Sequence, residues 1–169
     1  MKPLVGIIMG SDSDAPIMHE AAKTLQQFGI PYEIGVYSAH RSPHRTNDYV
    51  RSARERGLKL IIAGAGSSAH LAGVTAAETI LPVIGVPIDS SPLSGFDALM
   101  ATVQMPPGVP VSTMGVGKSG ATNAAILAVE ILALADESLA QKLIDYKAKL
   151  EVTVAEKSNK VASEFGQKG

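Results

Sequence analysis

Leu4-Val5-Gly6-Ile7-Ile8-Met9-Gly10-Ser11-Asp12-Ser13-Asp14 decides the fold. The unbroken apolar run Leu4–Met9 suits a strand buried on both faces, and such strands belong to parallel sheets covered by helices. It ends on a glycine followed by hydroxyls and carboxylates, the composition of a loop at a helix start. Working outward, Ile17, Ala21, Leu25 and Phe28 recur at helical spacing, with Gly29 as the stop signal. Pro31–Tyr37 alternates as a second strand. Ser42 or Pro43 opens a polar helix running to Arg56 and closed by Gly57. Leu58–Ala63 is a third strand, leading into the glycine-rich Gly64–Ser68. His70–Thr79 reads as a short helix, Val83–Val86 as a fourth strand, Ser94–Val103 as a helix and Val109–Met114 as a fifth strand. Gly120–Leu134 is apolar nearly all round, so it should be buried in an assembly. Alternating strands and helices of these lengths predict βαβ units, a parallel sheet and a three-layer α/β/α sandwich.

The chain has 169 residues and shows no repeat, linker or domain break, so one domain is expected over 1–169, with a core of about 4–135 and a helical extension of about 137–165. Apolar residues make up 46% and charged residues 18%, which excludes intrinsic disorder. A net charge of −1 gives no basic footprint for nucleic acid or an anionic membrane. Without cysteine there is no disulfide framework and no thiolate chemistry. The apolar start is too short for a signal segment or a membrane span, and a soluble cytoplasmic protein is expected.

Charge is unevenly spread. Between Lys59 and Lys118 only Glu78, Asp89 and Asp97 are charged, whereas 12 of the 34 residues from Asp136 onward are, six of each sign. A third of a small chain without Lys or Arg implies that copies of the chain cover its middle, or that a neutral surface is built from Ser, Thr and Gly. Leu139, Leu143, Tyr146 and Leu150 form a narrow stripe on the charged final helix. Its partner is either the same subunit or a neighbour.

In open parallel sheets, ligands bind beyond the carboxyl ends of the strands. Three polar clusters fall there: Gly10–Asp14, Ser38–Pro43 and Gly64–His70. In the first, hydroxyls and amides at a helix N-terminus can accept a phosphate, while the aspartates hold sugar hydroxyls or merely cap the helix. In the second, Arg41 offers a planar fork for a phosphate, beside His40, a residue type suited to proton transfer near neutral pH. The third brings backbone amides close to a planar ligand or a carboxylate, and His70 either touches that ligand or caps its own helix. His19, His44 and Arg45 read as solvated. Lys118-Ser119-Gly120 is a fourth loop contact or a plain turn. The four histidines lack the spacing of a metal site, and neither Walker A nor G-x-G-x-x-G is present. Met9, Met100, Met105 and Met114 read as core filler. The residues alone thus point to an α/β oligomer that binds a phosphorylated metabolite.

Several ordered motifs carry a resemblance. Ile8-Met9-Gly10-Ser11-Asp12-Ser13-Asp14, Ser38-Ala39-His40-Arg41-Ser42-Pro43, Ala63-Gly64-Ala65-Gly66 with Ala69-His70-Leu71, Pro82–Pro87, Val103-Gln104-Met105-Pro106 and Asn123-Ala124-Ala125 closely resemble the bacterial class of N5-carboxyaminoimidazole ribonucleotide mutases of de novo purine synthesis. The class that carboxylates aminoimidazole ribonucleotide directly with CO2 is a poorer match. A nucleotide-sensing domain without catalysis is the alternative from outside the enzymes.

The resemblance, over about residues 4–150, implies a flavodoxin-like sandwich assembled as a homo-octamer. Its active sites would be shared, and the C-terminal helix would reach a neighbouring subunit. It further implies that His40 is the general acid/base, that Ser11, Asp14 and Arg41 bind the ribonucleotide with help from Ser13 and Ser38, and that His70 lines the pocket for the base and CO2. No metal, nucleotide or redox cofactor is implied. Ser67-Ser68 stands where the family usually has Gly-Ala, and Ala72-Gly73-Val74 where it has Pro-Gly-Met. Ser90-Ser91-Pro92 replaces a stretch that commonly carries a lysine. These departures border the expected CO2 pocket.

Overall fold

The computed structural model of the chain describes residues 2–166; Met1 and residues 167–169 of the expected domain lie outside it. One parallel sheet is formed by β1 (Val5–Met9), β2 (Tyr32–Val36), β3 (Leu60–Gly66), β4 (Val83–Ile88) and β5 (Ser112–Thr113). The strand order is β2-β1-β3-β4-β5. This is the flavodoxin-like order, which reverses between β1 and β3 and so opens a crevice beyond their carboxyl ends. The helices are α1 (Ala15–Phe28), α2 (Pro43–Arg56), α3 (Leu71–Glu78), α4 (Phe96–Val103), α5 (Lys118–Ala133) and α6 (Glu137–Phe165). Two compact units divide the chain, the first ending at Val129 and the second starting at Glu130.

β1 is buried at every position, as its unbroken apolar run requires. On one face of the sheet, Ile8, Ile61, Ala63 and Val83 pack with Val50 and Ala53 of α2 and Leu71 and Ala72 of α3. On the other lies α1, whose Met18 sulfur occupies the space a Cβ on Gly64 would need. Gly29 and Gly57 end α1 and α2 in the left-handed region, at φ 74° and 104°. Pro43 opens α2, where its missing N–H is harmless.

Several boundaries differ from the sequence expectation. The glycine-rich Gly64–Gly66 is strand, because it continues the ladder with β4 up to Gly66 opposite Ile88. β4 likewise runs two residues beyond Val86. α4 starts at Phe96 instead of Ser94, since Ser94 and Gly95 are both left-handed, at φ 52° and 82°, and cannot join a right-handed helix. β5 shrinks from Val109–Met114 to Ser112–Thr113, an edge strand paired only with Ile84 and Gly85. Pro110 has no N–H for a ladder, and Gly108 turns the chain at φ 96°. In α1 the buried stripe is Met18, Ala21, Ala22, Leu25 and Phe28, with Ile17 only half-buried. Met9 is buried as expected, but Met100 is exposed. Coverage of the sheet is also incomplete. On the edge strand β2, Ile34 and Val36 are exposed.

Along α5, Gly120, Ala121, Ala124, Ala125, Ala128 and Val129 are buried. In the second unit, α6 is capped by Asp136, whose Oδ1 accepts from the amides of Ser138 and Leu139 at 2.9 and 3.3 Å. These bonds, with one from the Ser138 hydroxyl, hold the Asp136 carboxyl below its ordinary range. Leu139, Leu143, Leu150, Val154, Val161 and Phe165 recur on an 11-residue period, about 3.67 residues per turn, and so form a nearly straight stripe. Its first two members are buried and the last four are exposed.

Candidate active site

All three polar clusters converge on one cavity of about 210 Å³, at the carboxyl end of the sheet where the strand order reverses. Ser11, Ser13, Asp14, Ser38, His40, Arg41 and His70 all line it.

The β1 loop is built by its own side chains. Ser11 caps a 3₁₀ turn over Asp12–Asp14 and forms a capping box with Asp14. The Ser11 amide donates to Asp14 Oδ2 at 3.1 Å, and the Ser13 hydroxyl meets that of Ser11 at 2.9 Å. Capping and cavity lining thus fall on the same residues, so the two readings of this loop are not exclusive. Asp14 is buried, and that burial pushes its carboxyl above the ordinary carboxylate range; the Ser11 amide and the Arg41 guanidinium pull the other way. A buried carboxylate lacking a bidentate cation suits a site completed by ligand hydroxyls.

The β2 loop is held by Ser38 and Ser42. The Arg41 amide donates to Ser38 Oγ at 3.0 Å, and the Ser42 hydroxyl donates to the Ser38 carbonyl at 3.2 Å. Buried Thr46 adds a second hydroxyl to that carbonyl at 3.1 Å. This knot turns the chain sharply, so that Arg41 points across the crevice and its Nη2 reaches the Gly10 carbonyl at 3.3 Å. Arg41 lines the same cavity as Ser11 and Ser13, and a guanidinium fork of this kind can take an anion in two charge-assisted hydrogen bonds.

His40 lies across from the β3 loop. Its Nε2 is 2.8 Å from Nδ1 of His70, with the rings edge to face at a centroid separation of 4.9 Å. The contact couples the two tautomers: when one of these nitrogens donates, the other must accept. His70 makes no side-chain cap to α3, which leaves its ring for the cavity.

His19 and His44 are exposed, as read. Arg45 is exposed too, but it is anchored: it donates to the Val36 carbonyl at 3.0 Å and lies over the Tyr37 ring at 4.6 Å. Lys118 starts α5 and is not among the lining residues. Sequence reasoning placed Ser90 in a departing stretch without making it a site residue, yet it lines the cavity. Ending β4 at Val86 set its loop too early; β4 runs to Ile88, and Ser90 just beyond it fills the space beside Gly66 at the end of β3. Among the described residues, no group of three or more His, Cys, Asp or Glu side chains is placed to hold a metal ion. No described helix is long and apolar enough to cross a membrane.

The sequence profile of the AIR carboxylase family matches residues 4–153. The chain belongs to the AIR carboxylase family. Among relatives of this family, a Bacillus subtilis protein named N5-carboxyaminoimidazole ribonucleotide mutase is 53% identical over 161 residues, covering 95% of this chain and 99% of its own. A Saccharomyces cerevisiae protein named phosphoribosylaminoimidazole carboxylase is also 53% identical over 161 residues, but those are 28% of its length. The crystal structure of Treponema denticola PurE superimposes with a TM-score of 0.81 at 29% identity, covering 98% of this chain and 99% of that one.

Proposed function

We propose that this chain is an N5-carboxyaminoimidazole ribonucleotide mutase, an isomerase of purine biosynthesis that moves a carboxyl group from the exocyclic nitrogen to C4 of the imidazole. The relatives that share its length carry that name. One observation carries the chemistry: the His40–His70 pair, at 2.8 Å, shares a cavity with the anion cradle of Ser11, Ser13 and Arg41.

In this reading Arg41 and the serines of the β1 loop fix the 5′-phosphate, Ser38 supports them, and Asp14 takes a ribose hydroxyl. Pinned there, the heterocycle lies at the histidines. The N–C bond of the carbamate breaks as His40 protonates the nitrogen that keeps the electron pair. The CO2 released stays in the cavity and is attacked by C4, forming the new C–C bond. His40 then takes up the C4 proton and ends in its starting state. Atoms and charge balance with no cofactor. Holding CO2 against escape is a matter of effective concentration, which an enclosed site supplies.

Enclosure requires more than one chain. His40 and Arg41 are both exposed in the single subunit. Leu93, Phe96, Met100 and Val103 form an exposed stripe at and along α4, within the segment almost without charge. Burying such a stripe against another copy is favourable at about 25 cal/mol per Å² of apolar area. We take the assembly to be a homo-octamer with shared active sites, α6 serving as an arm toward a neighbouring subunit, and we place it in the cytoplasm with its nucleotide substrate.

The test is a product assay with the carbamate substrate alone. Formation of 4-carboxyaminoimidazole ribonucleotide without added bicarbonate is expected. A requirement for aminoimidazole ribonucleotide plus CO2 would favour the direct carboxylase that the yeast relative's name describes. Binding without turnover would favour a sensing domain.

A further inference from the structure

Two arginines and two tyrosines form a row at the outer edge of the sheet, next to the loop of His40 and Arg41. Arg45, Tyr49 and Arg56 stand on α2, while Tyr37 is the residue that follows β2. The Arg45 guanidinium lies 4.6 Å from the Tyr37 ring centre, the two tyrosine rings stack at 4.2 Å, and Arg56 lies 4.5 Å over the Tyr49 ring. Each cation thus meets the electron-rich face of a ring. The sheet is bare where the rings sit: a Cβ on Gly35 would strike the Tyr37 ring, and one on Gly6 the Tyr49 hydroxyl.

Both ends of the row are tied to β2. Arg56 Nη2 donates to Glu33 Oε1 at 2.8 Å near the start of the strand, and Arg45 Nη1 donates to the Val36 carbonyl at 3.0 Å at its end. β2 is an edge strand, paired with β1 alone. Tyr37 gives its amide to the Met9 carbonyl on β1 at 2.7 Å. Within one trans peptide the carbonyl points opposite to the amide, so the Val36 carbonyl faces the open edge, where Arg45 stands in for a missing strand. His40 follows three residues after Tyr37.

We infer, resting on the mutase reading, that Arg45 and Tyr37 are positioning residues for His40: they clamp the end of β2 to α2 and so fix the backbone from which His40 reaches His70. Neither lines the cavity, so neither touches the nucleotide. Arg41 has anchors of its own, its amide on Ser38 Oγ and its Nη2 on the Gly10 carbonyl. Among the described residues, the His40 ring has a single hydrogen-bond contact, with His70, and otherwise depends on the backbone behind it. Misplacing a reacting group by about 1 Å can cost about 10²-fold in rate. Loosening the clamp therefore acts on turnover more than on nucleotide binding.

The experiment measures kcat with the carbamate substrate and the Kd of 4-carboxyaminoimidazole ribonucleotide, by calorimetry, for paired variants of the full chain. Arg45→Met keeps the reach of the side chain without its charge and donors, and Arg45→Lys keeps a cation and a donor. Tyr37→Leu removes the ring, and Tyr37→Phe keeps it. Every assay is run well below the variant's melting temperature, so that lost stability is not read as lost turnover. Arg45→Met and Tyr37→Leu are each expected to lower kcat at least about tenfold while Kd changes less than about threefold; Arg45→Lys and Tyr37→Phe are expected to stay within about threefold of the unaltered kcat. Should Tyr37→Leu melt early, Arg45→Met decides, because Arg45 is exposed and its loss leaves the core intact. An unchanged kcat in Arg45→Met, equal losses in kcat and affinity, or a Tyr37→Phe variant as slow as Tyr37→Leu would overturn the inference. A crystal structure of Arg45→Met tests the geometry apart from the reaction: the 2.8 Å contact of His40 with His70 is expected to be lost, and finding it intact would also overturn the inference. Absence of turnover by the unaltered chain would instead count against the mutase reading.

Discussion

His40 and His70 meet through Nε2 and Nδ1 at 2.8 Å, although 30 residues separate them in the chain. One comes from the loop after β2 and the other from the loop after β3, strands that flank β1 on opposite sides. The flavodoxin-like order therefore creates the pair. Under the proposed function it places a proton carrier beside a heterocycle anchored by Arg41.

Under the proposed function, replacing His40 by Asn removes the group that protonates nitrogen and deprotonates carbon. General acid/base catalysis contributes about 10²- to 10⁴-fold, and here a single residue acts twice. Steady-state assays should show kcat reduced by at least about 10³-fold, while calorimetry shows the product bound nearly as before. Appreciable residual turnover would assign the proton transfers elsewhere.

Arg41→Ala should act on binding. Each charge-assisted hydrogen bond to the phosphate contributes about 1.5–3 kcal/mol, so the ribonucleotide Kd should rise by at least about tenfold. The nucleoside without its phosphate should bind both proteins alike. An unchanged ribonucleotide affinity would remove Arg41 from the anion cradle.

Asp14 sets a pH dependence whose sign follows from its burial. Because its carboxyl titrates above the ordinary 3.8 in the folded chain, the folded state holds that proton more tightly than the unfolded chain. Its contribution to stability is therefore greatest at low pH, and it is lost as pH rises from about 3.8 through the raised value. Asp14→Asn keeps an oxygen to accept from the Ser11 amide and carries no buried charge. At pH 7 the variant should melt no lower than the unaltered chain, while its ribonucleotide affinity falls. A melting temperature several degrees lower at pH 7 would show that the charge itself stabilises the loop.

The apolar stripe of α4 gives a test of assembly. Light scattering should report a mass many times 17.5 kDa. Phe96→Glu, at a residue 66% exposed in one chain, should shift that mass downward without lowering the helical content. A monomeric unaltered chain would contradict the shared site.

Much of the fold was legible because β1 and β3 are apolar at nearly every position and Gly29 and Gly57 mark helix ends. The convergence of Ser11, Asp14, His40, Arg41 and His70 followed from the rule that loops after parallel strands face one crevice. What escaped was set by ladder partners. Gly64–Gly66 has the composition of a loop yet is strand because β4 runs beside it. That extension also displaced Ser90 from its expected place. Val109–Met114 has strand composition, yet Pro110 and the sheet edge leave only two residues paired. The left-handed Ser94 stood in a run that propensity alone extends into α4. The contact of His40 with His70 depends on strand order, which no local pattern encodes.

The most direct measurement is a crystal structure of the chain with bound 4-carboxyaminoimidazole ribonucleotide. The account predicts a ring nitrogen of His40 at about 2.6–3.2 Å from the reacting atoms or one water away, with the phosphate on Arg41. A His40 ring turned to bulk solvent, several ångströms from the imidazole, would contradict it.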